Sequence, residues 1–167
     1  VKIDLHETLT KAGVDENDGL TTKERSATLA RLLESRSGIY HVSAYEPSSM
    51  KRGRPERGSS APGEQFFYNN WDFNAVAHII EEASGRPLDA MFRDRIARPL
   101  KMEDFKSDDV FRFLEPSRSR YPAIIFWLSA RDLARLGQLY LEGGRWNGRQ
   151  LLSRKWIESS WKAHTTF

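Results

Sequence analysis

Tyr68 and Asn70 are the residues of this chain whose types and spacing could do chemistry. They lie in Pro62-Gly63-Glu64-Gln65-Phe66-Phe67-Tyr68-Asn69-Asn70-Trp71-Asp72-Phe73-Asn74, where a Pro-Gly turn runs through aromatics and a Tyr-x-Asn triplet into an amphipathic segment. A phenol and a carboxamide at the mouth of a helix can relay a proton and orient a polar substrate group. A phenol titrates near pH 10 in water, so this work needs neighbouring cations such as lysines to lower it. Each residue also has a structural reading. Tyr68 could be a packed aromatic beside Phe66 and Phe67, and Asn70 an N-cap, since a helix is expected to start there. Asn69 and Asn74 read as structural. At this composition Tyr-x-Asn arises by chance in roughly one chain in seven, so its weight comes from its surroundings.

Other candidate chemistry is weaker. Ser48-Ser49-Met50-Lys51 and Ser159-Ser160-Trp161-Lys162 are both Ser-x-x-Lys matches, and roughly one is expected by chance. A lysine activates a serine when both share one face of a buried helix start. Ser48 instead follows Pro47 in a Gly-rich basic loop. Ser159 falls late in an expected helix, where the dipole disfavours an alkoxide. Lys51, Arg52, Arg54 and Arg57 form a basic loop, either solvated or flanking a cleft for an acidic or carboxylated substrate. His6, His41, His78 and His164 lack ligand spacing, so no metal site is expected, and no cofactor either. His41, after a Ser-Gly turn, is the histidine of interest. There is no cysteine, which excludes disulfides and thiolate metal sites. With 26 basic against 23 acidic residues the net charge is only +3, so nucleic acid is not an indicated partner. No apolar run reaches the roughly 18 residues that a membrane span needs, and no signal peptide is visible. Nothing in the sequence marks an oligomeric state.

The elements that must position Tyr68 and Asn70 are mostly helical. Residues 1–20 read as an extended start and a turn-rich segment. Thr21 and Glu24 have capping-box spacing, ahead of Leu29, Leu32 and Leu33 at helical spacing, with Gly38 as the left-handed stop. Residues 39–61 read as loop. Phe73, Val76, Ala77, Ile80 and Ala83 make an apolar stripe that ends at Gly85. Pro87 opens a further helix, with Leu88, Met91, Phe92 and Ile96 facing inward and Pro99 as its stop. Residues 103–122 read as irregular. Ser129 caps a helix carrying Leu133, Leu136 and Tyr140, with Asp132 in its first turn, and Gly143-Gly144 ends it. Asn147-Gly148 predicts a tight hairpin turn, and Ser153 caps a last helix with Trp156, Ile157 and Trp161. The total is about five helices and little strand.

Three blocks of sequence carry a family resemblance. They are Thr28 to Ile39 with its Ser37-Gly38-Ile39 ending, Pro62 to Asn74 followed by Ala83-Ser84-Gly85-Arg86-Pro87-Leu88 and Pro99-Leu100-Lys101-Met102, and Ser129 to Gly137 with Gly143 to Gly148. In this order they resemble the serine β-lactamase and penicillin-binding-protein superfamily, in its class C and esterase-like branch. The family usually has Gly where Lys101 stands, which predicts a different backbone at that turn.

The resemblance implies a chain that is mainly α, the helical lobe of an α+β β-lactamase/transpeptidase-like fold. Residues 1–167 would then be a single partial domain, a middle fragment. The family's Ser-x-x-Lys is expected upstream of Val1-Lys2-Ile3-Asp4-Leu5, and its Lys/His-x-Gly strand downstream of Phe167. The implied function is that of a serine hydrolase opening an ester, amide or lactam through an acyl-enzyme. In it Tyr68 relays the proton and Asn70 holds a small-molecule or peptide-like substrate. A non-catalytic homologue used for binding is the alternative, and a parent exported to the periplasm or cell exterior is implied by resemblance alone. Tyr68 and Asn70 are expected to share a cleft walled by the Ser37-Gly38-Ile39 turn or the basic loop. Phe66, Phe67, Trp71 and Ile124-Ile125-Phe126-Trp127-Leu128 are expected to be uncovered, as a face for the absent sheet.

Overall fold

The computed structural model describes residues 3–164, so Val1 and Lys2, the first residues of the expected extended start, lie outside the described residues, as does Phe167. The chain divides into two compact units, residues 1–85 with 112–125 and residues 86–111 with 126–167. Helix outweighs strand, at 39% against 9%, and about half of the chain is neither. Short pieces joined by turns account for most of the difference from a mainly helical expectation.

The first unit is built around helix α4, Asn70–Ser84. Asn69 caps it by accepting a hydrogen bond from the Trp71 amide, and Gly85 closes it at φ 61°, a left-handed conformation that glycine adopts without a Cβ clash. Before it come α1 (Thr22–Arg25), α2 (Leu29–Leu33) and α3 (Ser48–Gly53). The Thr21–Glu24 capping box forms as expected. The left-handed stop after α2 falls at Ser35, φ 54°, not at Gly38. Gly38 is itself at φ 70°, but its role is close approach, since a Cβ there would meet the Ser60–Ala61 backbone at 3.0 Å. The segment read as loop contains α3.

Trp71, Ala75, Val76 and Ile79 of α4 pack with Leu9, Val14, Leu29, Leu32, Ile39 and Tyr121 in one apolar core. Trp71 is fully buried, which overturns its expected place on an uncovered face. The buried stripe is therefore rotated from Phe73–Ala83 towards Trp71–Ile79. The largest side chain at the helix start sets which face turns inward, because it carries the most apolar area.

The second unit holds α5 (Leu88–Phe92), which opens after Pro87 and widens into a π-turn at Arg93–Ala97. A 3-10 turn, Ser107–Asp109, leads into strand β1, Val110–Phe113, where irregular chain was expected, and the chain passes into the first unit at Arg112. Strand β2, Ala123–Phe126, pairs with β1 in a two-stranded sheet, and the chain re-enters the second unit at Phe126. Helix α6 (Ala130–Leu141) has Ser129 as its cap, and α7 (Arg154–Trp161) has Ser153. Between them β3 (Arg145–Trp146) and β4 (Arg149–Gln150) form the expected hairpin, with Asn147 and Gly148 both at positive φ. The buried residues of α6 are Asp132 and Leu139, and Leu133 is exposed. Lys101 takes φ 53°, so this lysine keeps the backbone that a glycine would favour, and the turn does not change.

Candidate functional site

The chain running into α4 is pinned to the turn after α2. The Phe67 amide donates to the Ser35 carbonyl at 2.9 Å, and the Gly63 amide to the Arg36 carbonyl at 2.7 Å. Of the two adjacent asparagines, Asn69 takes the capping role and is buried, and its Nδ2 also donates to the Ile39 carbonyl at 2.8 Å. Asn70 is thereby released from capping. Its Nδ2 donates to the Tyr45 carbonyl at 2.6 Å, and its Oδ1 accepts nothing from any described residue. Asn74 is structural, donating to the Ala44 carbonyl at 3.3 Å.

Tyr68 lies one step before this cap with 56% of its surface exposed. Its ring leans on Phe73 with centroids 5.4 Å apart, and its hydroxyl has no hydrogen-bond partner among the described residues. Tyr68 and Asn70 line one hollow of about 690 Å³. Its other walls are Tyr45, Glu46 and Pro47 on one side and Phe113, Glu115 and Arg118 on another. The Ser37–Ile39 turn and the Lys51–Arg57 loop are not among them, so the pair shares a hollow with different walls from those expected. Tyr45, Phe113, Glu115 and Arg118 were not legible in the sequence. The one local sign was Glu115-Pro116, since the residue before a proline is held extended. A free phenol and a free carboxamide oxygen facing one space can donate to, or accept from, a polar substrate group.

Beneath the site is a set of buried polar groups. Glu16 accepts from Trp71 Nε1 at 2.8 Å, Ser119 Oγ at 2.6 Å, the Arg120 amide at 2.8 Å and the Asn17 amide at 2.8 Å. Four donors offset the cost of burying this carboxylate. His41, the histidine singled out above, is buried with Nε2 2.6 Å from Asp18 Oδ1 and Nδ1 2.8 Å from the Val42 carbonyl. The hydrogen bond from His41 holds the Asp18 carboxyl below its usual range. Arg57 binds both Asp18 and the buried Glu24, and Arg54 binds the buried side chain of Glu46. Those two arginines of the basic loop are thus internal counter-ions, neither a solvated face nor a substrate clamp. Asp72 is fully buried, and burial pushes its carboxyl well up, against one hydrogen bond from Ser37 at 2.7 Å. Its second oxygen has no partner among the described residues.

Neither Ser-x-x-Lys match makes a nucleophile. Ser48 opens α3 on the surface with Lys51 exposed, and Ser159 sits in the last turn of α7. Among the described residues, no group of three or more His, Asp or Glu could hold a metal ion, and no helix is long and apolar enough to cross a membrane.

The family model described as Beta-lactamase matches residues 4–166. Over 45 residues the chain is 42% identical to the D-alanyl-D-alanine-carboxypeptidase/endopeptidase AmpH of Escherichia coli K12, a stretch that is 27% of this chain and 12% of that protein. Among solved structures it is similar to one described as a 6-aminohexanoate-dimer hydrolase from Bacillus anthracis. That similarity has a TM-score of 0.65 and 23% identity, over 94% of this chain and 46% of the other. A structure described as a beta-lactamase from Bacteroides dorei gives a TM-score of 0.61 at 18% identity, over 93% of this chain and 48% of that one. At these identities the shared property is the fold. The chain spans about half the length of these structures and a smaller share of the curated relative.

Proposed function

This chain belongs to the beta-lactamase family, and from that premise we propose that it is the helical lobe of a β-lactamase-related serine hydrolase. The whole enzyme opens an ester, amide or lactam through an acyl-enzyme, with Tyr68 as proton relay and Asn70 as substrate holder. The observation that carries this reading is the meeting of two unengaged groups, the Tyr68 hydroxyl and Asn70 Oδ1, in one hollow. A tyrosine that only filled space would gain by turning its ring inward, whereas this one keeps its hydroxyl in the open. The nucleophilic serine and its lysine lie outside residues 1–167 in this reading, and two observations support that. The two Ser-x-x-Lys matches are misplaced, and the chain spans about half of its structural neighbours. Residues 1–167 are accordingly one partial domain. Substrates of the kinds named for its relatives fit: a D-alanyl-D-alanine peptide, an aminohexanoate dimer or a β-lactam. A protein that acts on the first of these from outside the cytoplasm is the reading we adopt for its location.

In the chemistry, Tyr68 accepts the proton of the serine hydroxyl as oxygen attacks the carbonyl carbon, and returns it to the leaving group as the carbonyl–leaving-group bond breaks. Water then repeats the exchange and frees the acid. Asn70 Oδ1 accepts from a substrate N–H and keeps the carbonyl carbon in line with the serine. The test is turnover of p-nitrophenyl acetate and nitrocefin by the full-length protein. Tyr68→Phe is expected to lower kcat/KM at least about a hundredfold without moving the melting temperature. Undiminished turnover by that variant would reject the reading, and so would an inert full-length protein, which fits a binding homologue.

A further inference from the structure

A primary carboxamide is nearly symmetric in shape, so packing alone does not decide which end of Asn70 faces a ligand. Here the decision is made by hydrogen bonding. The Tyr45 carbonyl can only accept, so at 2.6 Å it draws the NH2 group of Asn70 to itself and leaves the oxygen facing the other way. Asn70 offers its acceptor to the hollow as long as that carbonyl stays where it is.

Holding it there takes work. Tyr45 sits at φ 54°, the left-handed region in which a residue with a Cβ is strained by about 1–2 kcal/mol. Such a conformation persists only where its surroundings over-determine it. The end of β1 and the segment after it supply two restraints. Glu115 Oε2 accepts the Tyr45 amide at 2.7 Å, and the Phe113 ring lies 4.8 Å from the Tyr45 ring. Glu115 is itself fixed, because its carbonyl accepts from the Arg118 amide at 2.8 Å and the Ser119 amide at 3.1 Å. Ser119 in turn is tied to buried Glu16. The line of hydrogen bonds from Glu115 to the Tyr45 amide, and from the Tyr45 carbonyl to Asn70, joins residues far apart in sequence.

We propose that Glu115 is the positioning residue of the site, fixing the strained backbone of Tyr45 at its amide so that the Tyr45 carbonyl, one peptide plane on, locks Asn70 with the carboxamide oxygen towards the substrate. The proposal rests on the role given to Asn70 above. Without the carboxylate, the left-handed φ of Tyr45 relaxes, the Tyr45 carbonyl moves with it, and Asn70 samples the inverted orientation that presents a donor where an acceptor is needed. Misplacing a positioned group in this way slows turnover by about tenfold to a hundredfold.

The test compares Glu115→Ala, Glu115→Gln and Asn70→Ala in the full-length protein with nitrocefin, whose side-chain amide supplies the N–H that Asn70 Oδ1 accepts. Glu115→Gln keeps an acceptor oxygen at the right length, so it should hold kcat within a few-fold of the parent, about threefold. Glu115→Ala should lower kcat about tenfold or more and should have no further effect in the Asn70→Ala background. Should the alanine variant fail to fold, Glu115→Met, which keeps the length without a strong acceptor, is read in the same way. Equal kcat in the parent and the variants lacking the acceptor, or full additivity with Asn70→Ala, would overturn the proposal. If Asn70→Ala itself leaves kcat unchanged, the functional reading falls instead. Hydrogen exchange then judges the positioning: the Tyr45 amide should exchange faster in Glu115→Ala than in Glu115→Gln, and equal rates overturn it.

Discussion

The two units of this molecule are held together by different means. In the first, a continuous apolar core surrounds Trp71, and buried Glu16 and Glu24 are matched, the one by four donors and the other by Arg57. In the second, the buried apolar residues are few: Ala97, Leu100, Leu139 and Ile157. Its order comes from helix caps, a glycine-rich hairpin and exposed ion pairs such as Glu103–Arg135 and Asp104–Arg131. Trp127, Leu141 and Trp161 remain 64%, 79% and 60% exposed there. Surface ion pairs are weak, whereas buried apolar area is the main stabilising contribution. The site stands on the unit with the core, as a constellation needing fixed geometry requires.

The same residue type in the two units gives the largest expected contrast. Trp71 is fully buried and donates to Glu16, whereas Trp161 only stacks on Tyr140 at 6.0 Å. Trp71→Ala opens a cavity and removes a donor from a buried carboxylate, so it should cost about 3–5 kcal/mol in urea unfolding of the full-length protein. Trp161→Ala should cost about 1 kcal/mol or less. Equal losses would erase the distinction between the units.

Carboxyl groups sharpen the contrast through its sign. Burial raises Asp72 in the first unit, while in the second a hydrogen bond from Ser129 and the charge of Arg131 lower Asp104. An acid raised on folding contributes stability in full below its unfolded pKa, about 3.9, and that contribution is lost as pH rises through the folded value. A lowered acid contributes above about 3.9 and loses its contribution as pH falls through its folded value. Asp72→Asn keeps an acceptor for Ser37 and cannot ionise. Its melting temperature relative to the parent should therefore climb from pH 4 to pH 8. Asp104→Asn should instead lose ground to the parent as pH rises to about 4 from the acid side, and hold level above that. A flat difference for Asp72→Asn would mean that this carboxyl ionises alike in the folded and unfolded chain.

Much of this architecture was legible because it is local. Thr21, Ser129 and Ser153 cap where their spacing placed them, Gly85 stops α4, and Asn147-Gly148 turns the hairpin. Each depends on atoms a few residues away. Tyr68 and Asn70 were legible by type and spacing, and the structure brings both to one hollow. Which of two adjacent asparagines would cap α4 was not legible, because the same side chain suits both positions. Nor were the partners that complete the hollow. Glu115 reaches Tyr45, and Glu16 reaches Trp71 and Ser119, over separations that no periodic pattern encodes. The basic loop misled because charge density in a sequence does not reveal that Glu24 and Glu46 lie buried beside it.

The smallest expected effect concerns the one local departure from the family pattern. Lys101 lies in the turn after the π-turn, at φ 53° and exposed, with its carbonyl bonded to Arg135. A residue with a Cβ is strained there by about 1–2 kcal/mol, and glycine is not. Against that, glycine gives the unfolded chain more freedom, which takes back about 0.4–1 kcal/mol. Lys101→Gly should then leave a net gain of about 0.5–1 kcal/mol, read as a small rise in melting temperature. The same replacement at Tyr45, equally left-handed at φ 54°, should not give that gain. There the ring also packs on Phe113, so the side chain being removed supplies contacts that Lys101 lacks. A destabilised Lys101→Gly would show that the lysine side chain does more for the second unit than its backbone strain takes away, and that the turn tolerates lysine for a reason other than slack in the local packing.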